Sequence, residues 1–223
     1  MGAIGKKEVA EIKEKTTLSS DPYNVIITGV GGQGNVMASR VLGNMLSVKG
    51  LQITIGETFG ASQRGGSVMS HLRISAAATW SPQIPEGRAH MVLALEPIEA
   101  LRVLMVYGNP KTKVLCNTRA IQPISVICGD SEYPSLGFLK QRILELTEHA
   151  WFVDATDAAL KLGDPIYGNI MMIGALAAIG DLPVEREDFR TVISKTMTSE
   201  KTEANLCAYD TGAQMIHNNH TEI

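Results

Sequence analysis

The stretch Asn24-Val25-Ile26-Ile27-Thr28-Gly29-Val30-Gly31-Gly32-Gln33-Gly34-Asn35, continued by Val36-Met37-Ala38-Ser39-Arg40-Val41-Leu42-Gly43, decides the fold. Val25, Ile26 and Ile27 form a β-branched run that reads as a buried strand. Gly29, Gly31 and Gly34 then fall at G-x-G-x-x-G spacing. Met37, Val41 and Met45 recur every fourth residue after them, with Ala38, Leu42 and Leu46 alongside, which is the period of a helix with one broad apolar face. Strand, glycine turn and helix in this order bring backbone N–H groups and the positive end of a helix to a strand tip, where an anion can sit. Two readings stand: the glycines hold an anion or cofactor, or they only allow a tight turn and close strand–helix packing.

Outward from this stretch the chain reads as α/β. Residues 1–22 are expected to form a flexible leader, 23–216 a single domain and 217–223 a polar tail. The helix is expected over Asn35–Val48, with Gly50 just beyond its end. A second strand over Leu51–Ile55 leaves Gln52 and Thr54 on one side, and leads into Gly56-Glu57-Thr58-Phe59-Gly60-Ala61-Ser62-Gln63-Arg64-Gly65-Gly66-Ser67. In a dinucleotide fold an acidic residue after the second strand binds the ribose hydroxyls, and Glu57 occupies that place. The glycine-rich loop after it suits hydrogen bonding, and Arg64 within it suits an anion. Period-two alternation over Val68–Ile74 makes a third strand starting directly from the loop, so strands two and three are expected to pair as a hairpin-like unit. A dinucleotide domain needs a crossover helix there instead. That break argues against nicotinamide binding.

Further strands are expected over Met91–Leu95, Lys113–Asn117 and Trp151–Asp154, with Pro123–Cys128 extended as well. Helices are expected over Ile98–Met105, opened by Pro97, over Leu136–His149 with Ser135 as N-cap, and over Ala155–Leu162. Glu96 and Glu99 read either as paired carboxylates or as a strand end and a helix-dipole partner. Asp154 and Asp157 read either as ligand groups at a strand's carboxyl end or as caps. From Asp164 onward the chain reads as helical. Ile166–Ile179 is apolar on nearly all sides and is expected in the core or against another subunit, which favours a homodimer of the isolated chain.

Composition narrows the function classes. The 223 residues carry a net charge of −3, with 44% hydrophobic and 19% charged residues. There is no basic face or aromatic-plus-basic pattern for nucleic acid. Ten methionines and many alanines suggest tightly apposed helices. Cys116, Cys128 and Cys207 lie far apart and form no C-x-x-C pair, so they read as reduced, mostly buried thiols of a cytoplasmic protein rather than zinc or cluster ligands. The five histidines do not cluster at ligand spacing. No apolar stretch is long enough to span a bilayer.

Gly29–Asn35 together with Gly56–Ser67 resembles the paired signature of the gamma-type domain of 2-oxoacid:ferredoxin oxidoreductases. Ile84-Pro85-Glu86-Gly87, Leu95-Glu96-Pro97-Ile98-Glu99-Ala100-Leu101-Arg102, Asn117-Thr118-Arg119, Glu132-Tyr133-Pro134-Ser135 and Glu203-Ala204-Asn205-Leu206 make the chain most similar to the beta-subunit branch that acts on indolepyruvate. The resemblance spans roughly residues 22–216. It implies a three-layer α/β/α sandwich with a helical C-terminal part, and a role in converting aryl pyruvates and coenzyme A to aryl-acetyl-CoA, carbon dioxide and reduced ferredoxin. Thiamine diphosphate and the iron–sulfur clusters are implied for the catalytic alpha subunit, with no cofactor held by this chain and a contact with coenzyme A open. The implied site-completing residues are Gly31, Gly32, Gln33, Gly34, Asn35, Glu57, Gln63, Arg64, Gly65 and Gly66. A free-standing dinucleotide-binding oxidoreductase and a non-catalytic assembly scaffold are the alternatives.

Overall fold

The computed structural model describes residues 18–59 and 66–219. Its centre is β1 (Tyr23–Val30), an unbroken buried run. A six-stranded sheet is built around it in the order β2-β3-β1-β4-β5-β6, with β2 spanning Gln52–Phe59, β3 Ser67–Ser75, β4 Met91–Ala94, β5 Lys113–Asn117 and β6 His149–Val153. β4, β5 and β6 run parallel to β1's side of the sheet, whereas β2 and β3 form the expected antiparallel hairpin. The period of two decides which residue serves which layer. Val25, Ile27, Leu72, Met91, Leu93 and Leu115 enter the larger core, while Ile26, Val92, Ala94, Val114 and Cys116 enter the smaller one.

The larger core is roofed by α1 (Asn35–Val48), α5 (Ala155–Lys161), α6 (Tyr167–Ile179), α7 (Arg186–Ile193) and α8 (Ser199–Asn219). The smaller core lies under α2 (Pro97–Tyr107) and α4 (Leu136–Leu146). Helices on both faces of the sheet make the three-layer α/β/α sandwich, with the C-terminal part helical. α6 is apolar all round because it is enclosed: Ile170, Met171, Met172, Ile173 and Leu176 are buried, and α8 packs along it. The middle of the stretch from which a homodimer was expected is thus covered within the chain, while Ile166 at its start is exposed.

Four local expectations are corrected. Residues 124–127 form a one-turn helix, α3 (Ile124–Ile127), rather than an extended segment, because Pro123 O accepts from the N–H groups of Val126 and Ile127 and none of the described strands pairs with it. The helix expected to reach His149 ends at Leu146, where Thr147 folds its hydroxyl back onto Ile143 O, and His149 starts β6 by pairing with Lys113. β2 runs on past Ile55, so that Glu57 lies inside the strand opposite Ser70 instead of after it. Of the three thiols only Cys116 is buried; Cys128 and Cys207 are exposed. Leu18, at the end of the leader, packs partly against the larger core.

Among the described residues no helix packs on the second face of β2 and β3. A strap of residues 80–85 lies there, and a buried cation holds it. Arg73 donates to Asn24 Oδ1 (3.3 Å), Ser81 O (3.3 Å) and Gln83 O (3.5 Å), with its guanidinium 4.9 Å from the Trp80 ring. Gly56 is needed because a Cβ there would meet Pro82 Cβ at 2.9 Å. Two histidines serve this region as acceptors. Ile84 N–H donates to His71 Nδ1 (3.3 Å) and Asn24 N–H to His90 Nδ1 (2.9 Å). Burial pushes both imidazoles below their ordinary pKa, and Arg88 adds to this at His90.

The sign of the pH effect follows. A histidine depressed in the folded state binds fewer protons there than in the unfolded chain. Its contribution is complete above the unfolded value of about 6.5 and is lost as pH falls through the depressed folded value. Unfolding free energy measured between pH 7.5 and 5 should fall toward acid. A His71→Asn, His90→Asn double variant should lower stability at pH 7.5 and flatten that slope; an unchanged slope would exclude these histidines.

Candidate functional site

α1 lies on one face of the sheet and α2 on the other, so the chain leaves β1 and β4 in opposite directions. In open α/β sheets the crevice outside the carboxyl ends of such a strand pair is where ligands bind. A cleft of about 640 Å³ opens there, reaching from the glycine turn across the tips of β4 and β5 to the start of α6. Gly32, Gln33 and Gly34 line it, as do Asn117, Thr156 and Asn169.

Gln33 closes the gap between the strand tips. Its Oε1 accepts from Val30 N–H (2.7 Å) and its Nε2 donates to Leu95 O (2.8 Å). Asn117 reaches the same carbonyl from the far side: its Nδ2 donates to Leu95 O (3.0 Å) and to Thr156 Oγ1 (2.9 Å), while Thr156 N–H donates to Asn117 Oδ1 (3.3 Å). Two carboxamides thus tie together the ends of β1, β4 and β5 and the first turn of α5. The side chain of Gln33 fits because position 29 has none; a Cβ on Gly29 would meet Gln33 Oε1 at 2.6 Å.

The turn is not an open cradle for a diphosphate. Gly31 N–H donates to Gly66 O (2.8 Å) and Gln33 N–H to Val30 O (3.1 Å), so its inner donors are used by the chain itself. The start of α1 remains. Gly34 holds the N-cap position at φ +85°, and among the described residues no side chain caps the helix. A Cβ on Gly34 would overlap the amide nitrogen of Asn169. Glycine here lets Asn169 lie against the turn. Asn169 is 2% exposed, and its Oδ1 has no hydrogen-bond partner among the described residues; Asn35 Oδ1 is likewise buried and unpartnered.

Asn169 lines the cleft, whose wall also carries the apolar Met37, Leu95, Ile121 and Met172. Arg119 supplies the cation, 3.1 Å from Asp157. Asp154 accepts from Thr118 Oγ1 and makes no cap of α5. Glu96 behaves differently: buried at the head of α2, it accepts from Glu99 N–H (3.0 Å), Ile121 N–H (3.3 Å) and the Tyr133 hydroxyl. It is a helix cap and loop anchor. Glu99, 3.2 Å from Arg102, accepts from Ser67 Oγ at 2.5 Å, and burial holds its carboxyl above the usual range.

Of the residues singled out in the sequence, Gly31 to Asn35 and Gly66 come together at this end of the sheet. Glu57 lies apart, 3.9 Å from Arg40. Gln63, Arg64 and Gly65 lie outside the described residues. Asn169, Asn117 and Thr156 were missed as site residues. Asn169 is a polar residue in an otherwise apolar helix, which was the one signal available for it.

The chain matches the family model described as pyruvate ferredoxin/flavodoxin oxidoreductase over residues 24–215. It is 36% identical, over 194 residues, to the indolepyruvate oxidoreductase subunit IorB of Pyrococcus horikoshii, covering 86% of this chain and 95% of that protein. In fold it is similar to the pyruvate oxidoreductase subunit PORC of Thermotoga maritima, with a TM-score of 0.65 at 20% identity, covering 87% of this chain and 97% of that one. It is also similar in fold to the 2-oxoglutarate:ferredoxin oxidoreductase of Magnetococcus marinus, solved with 2-oxoglutarate, coenzyme A and succinyl-CoA bound. That likeness has a TM-score of 0.69 at 16% identity and covers 90% of this chain but 32% of that longer one.

Proposed function

Because this chain belongs to the pyruvate ferredoxin/flavodoxin oxidoreductase family, we propose that it is the accessory subunit of a thiamine-diphosphate-dependent 2-oxoacid:ferredoxin oxidoreductase. The proposed substrates are indolepyruvate and other aryl pyruvates, and the products aryl-acetyl-CoA, carbon dioxide and reduced ferredoxin. The observation that supports this reading is the make-up of the cleft. Its polar groups are chiefly carboxamides, a hydroxyl and an ion-paired guanidinium, which position and recognise; the nearby carboxylate of Asp164 is engaged by Ile166 N–H (2.9 Å). Such a set shapes a site whose reacting groups come from a partner.

Thiamine diphosphate, as electron sink for decarboxylation, and the clusters that carry electrons to ferredoxin are assigned to the catalytic alpha subunit. The thiols here do not suit a cluster: Cys116 is buried while Cys128 and Cys207 are exposed, and among the described residues no three His, Cys, Asp or Glu side chains gather around a point. Arg64, with Gln63 and Gly65, is assigned the carboxylate or phosphate of substrate or coenzyme A. A free-standing dinucleotide enzyme is not favoured, since β2 and β3 form a hairpin where a crossover helix is required and Gln33 fills the space over the turn. Among the described residues no helix is long and apolar enough to cross a membrane.

Co-purification from the native source, followed by 2-oxoacid-dependent reduction of a viologen dye, tests the reading. A larger subunit carrying thiamine diphosphate and aryl-pyruvate-driven reduction are expected. Purification alone with a bound nucleotide would overturn it.

A further inference from the structure

The sheet ends on two edges of different kinds. β6 is five residues long, a short edge that offers another strand little to pair with. β2 is eight residues long, and every residue from Gln52 to Phe59 pairs with β3 on one side, without a bulge. Among the described residues no strand lies on its other side, and no hydrogen bond reaches its outer backbone groups. The strand contains no Lys, Arg or Pro, the residues that usually blunt an exposed edge. Its one charge is accompanied, since Glu57 lies 3.9 Å from Arg40 on α1. Ile53 and Ile55 pack against the larger core yet stay half-buried at this edge. Such an edge is a template for a further strand.

We propose that the β2 edge binds a second copy of this chain, the two strands pairing antiparallel about a two-fold axis at Ile55 and joining two six-stranded sheets into one. A two-fold axis normal to the sheet sets each residue opposite one from the same face, so a strand pairs with its own copy only where it suits its own reverse. β2 does. About Ile55, that isoleucine meets itself on the α1 face, which carries the larger core of one copy into the next. Thr54 falls opposite Gly56, whose missing side chain leaves room beside Pro82. Glu57 falls opposite Ile53 rather than opposite its own copy, and Gln52 falls opposite Thr58. No like charges meet, and each carboxylate brings its own Arg40. An edge without charge of its own to select an unlike partner, and complementary to itself, selects its copy. The interface is independent of the activity proposed above, and its test needs no turnover.

The test uses the full chain, purified alone, in sedimentation equilibrium at micromolar concentration, where a dimer is expected. Gln52 and Thr58 are exposed, so both accept substitution without disturbing the core. Gln52→Lys with Thr58→Lys sets lysine opposite lysine twice across the axis and should weaken the dimer by about tenfold or more. Gln52→Glu with Thr58→Glu should do the same, and mixing the two variants should restore a heterodimer, seen by native mass spectrometry. Thermal melting of each variant alone confirms that it is folded. A register check stands apart from these: a chain with both Gln52→Cys and Thr58→Cys should oxidise to a dimer linked from position 52 of one copy to 58 of the other. Within one copy the two positions lie about 20 Å apart along the strand, too far for a disulfide. Peptide mapping separates this link from any through the exposed Cys128 and Cys207. A monomer up to millimolar concentration would overturn the proposal, as would a dimer indifferent to the charge variants. So would a monomeric chain whose lysine variant loses the catalytic subunit instead, since the edge would then belong to that partner.

Discussion

Gly174→Ala and Gly212→Ala should each destabilise the protein by about 3 kcal/mol or more, lowering the melting temperature by roughly 6–12 °C. The reason is the crossing of α6 and α8, where one backbone lies directly on the other. A Cβ on Gly174 would sit 2.8 Å from the carbonyl carbon of Tyr209, and one on Gly212 would sit 2.5 Å from that of Met171, each closer still to the carbonyl oxygen. The obstacle is main chain rather than the end of a flexible side chain, so it moves only if the helices part. Parting them loosens the contacts that Ile170, Ile173 and Leu176 make in the larger core. The fold contains its own control. Gly137 in α4 has nothing within 4 Å of the corresponding point. There Gly137→Ala should stabilise slightly, by up to about 1 kcal/mol, through helix propensity alone. Thermal unfolding of the three variants checks both signs; equal effects at 137 and 212 would refute the packing argument.

Gln33→Glu should be as damaging to function as to stability. It keeps an acceptor for Val30 N–H but replaces the donor to Leu95 O with a carboxylate oxygen, placing negative charge 2.8 Å from a carbonyl that lies in the core. The expected cost is about 2–3 kcal/mol, from the lost bond and the unfavourable burial of charge. The consequence for the site is of the same order. Gln33 and Asn117 share Leu95 O, so losing one side lets the tips of β1 and β4 separate and shifts the start of α1 relative to Asn169. Displacements of this kind at a positioning surface reduce turnover by about tenfold to a hundredfold. Dye reduction by the reconstituted complex, run well below the variant's melting temperature, separates the two effects. Full activity at that temperature would show that the clamp does not set the site.

The difference between what was legible and what was not lies in the range of the interaction that decides each feature. Strand–turn–helix at residues 24–48, the β2–β3 hairpin and the parallel strands over Met91–Ala94 and Lys113–Asn117 are local. Their periods of 2 and 3.6 are imposed by solvent on one side and core on the other, and sequence carries that directly. Methionine and alanine content pointed to tightly apposed helices, and glycine does meet backbone at the α6–α8 crossing. The glycine spacing also located the switch point of the sheet.

Sequence could not assign the turn's donors. Gly31 N–H goes to Gly66 O, and Val30 N–H to the Gln33 side chain, because a loop 35 residues away and a strand end 62 residues away arrive at the same place. The same motif that elsewhere leaves those donors to a diphosphate is here closed by its own chain. Glu57 read as a ribose ligand only while β2 was taken to stop at Ile55; eight paired residues with β3 carry the strand through it. Asn169, hidden in an apolar helix, becomes a cleft residue only when α6 is laid against Gly34. The sequence by itself determined the layers, the strand tips and the glycine turn, since these follow from local period and backbone freedom. Only the tertiary structure decided which polar atoms are spent and which stay open, because hydrogen-bond partners far apart in the chain are set by packing.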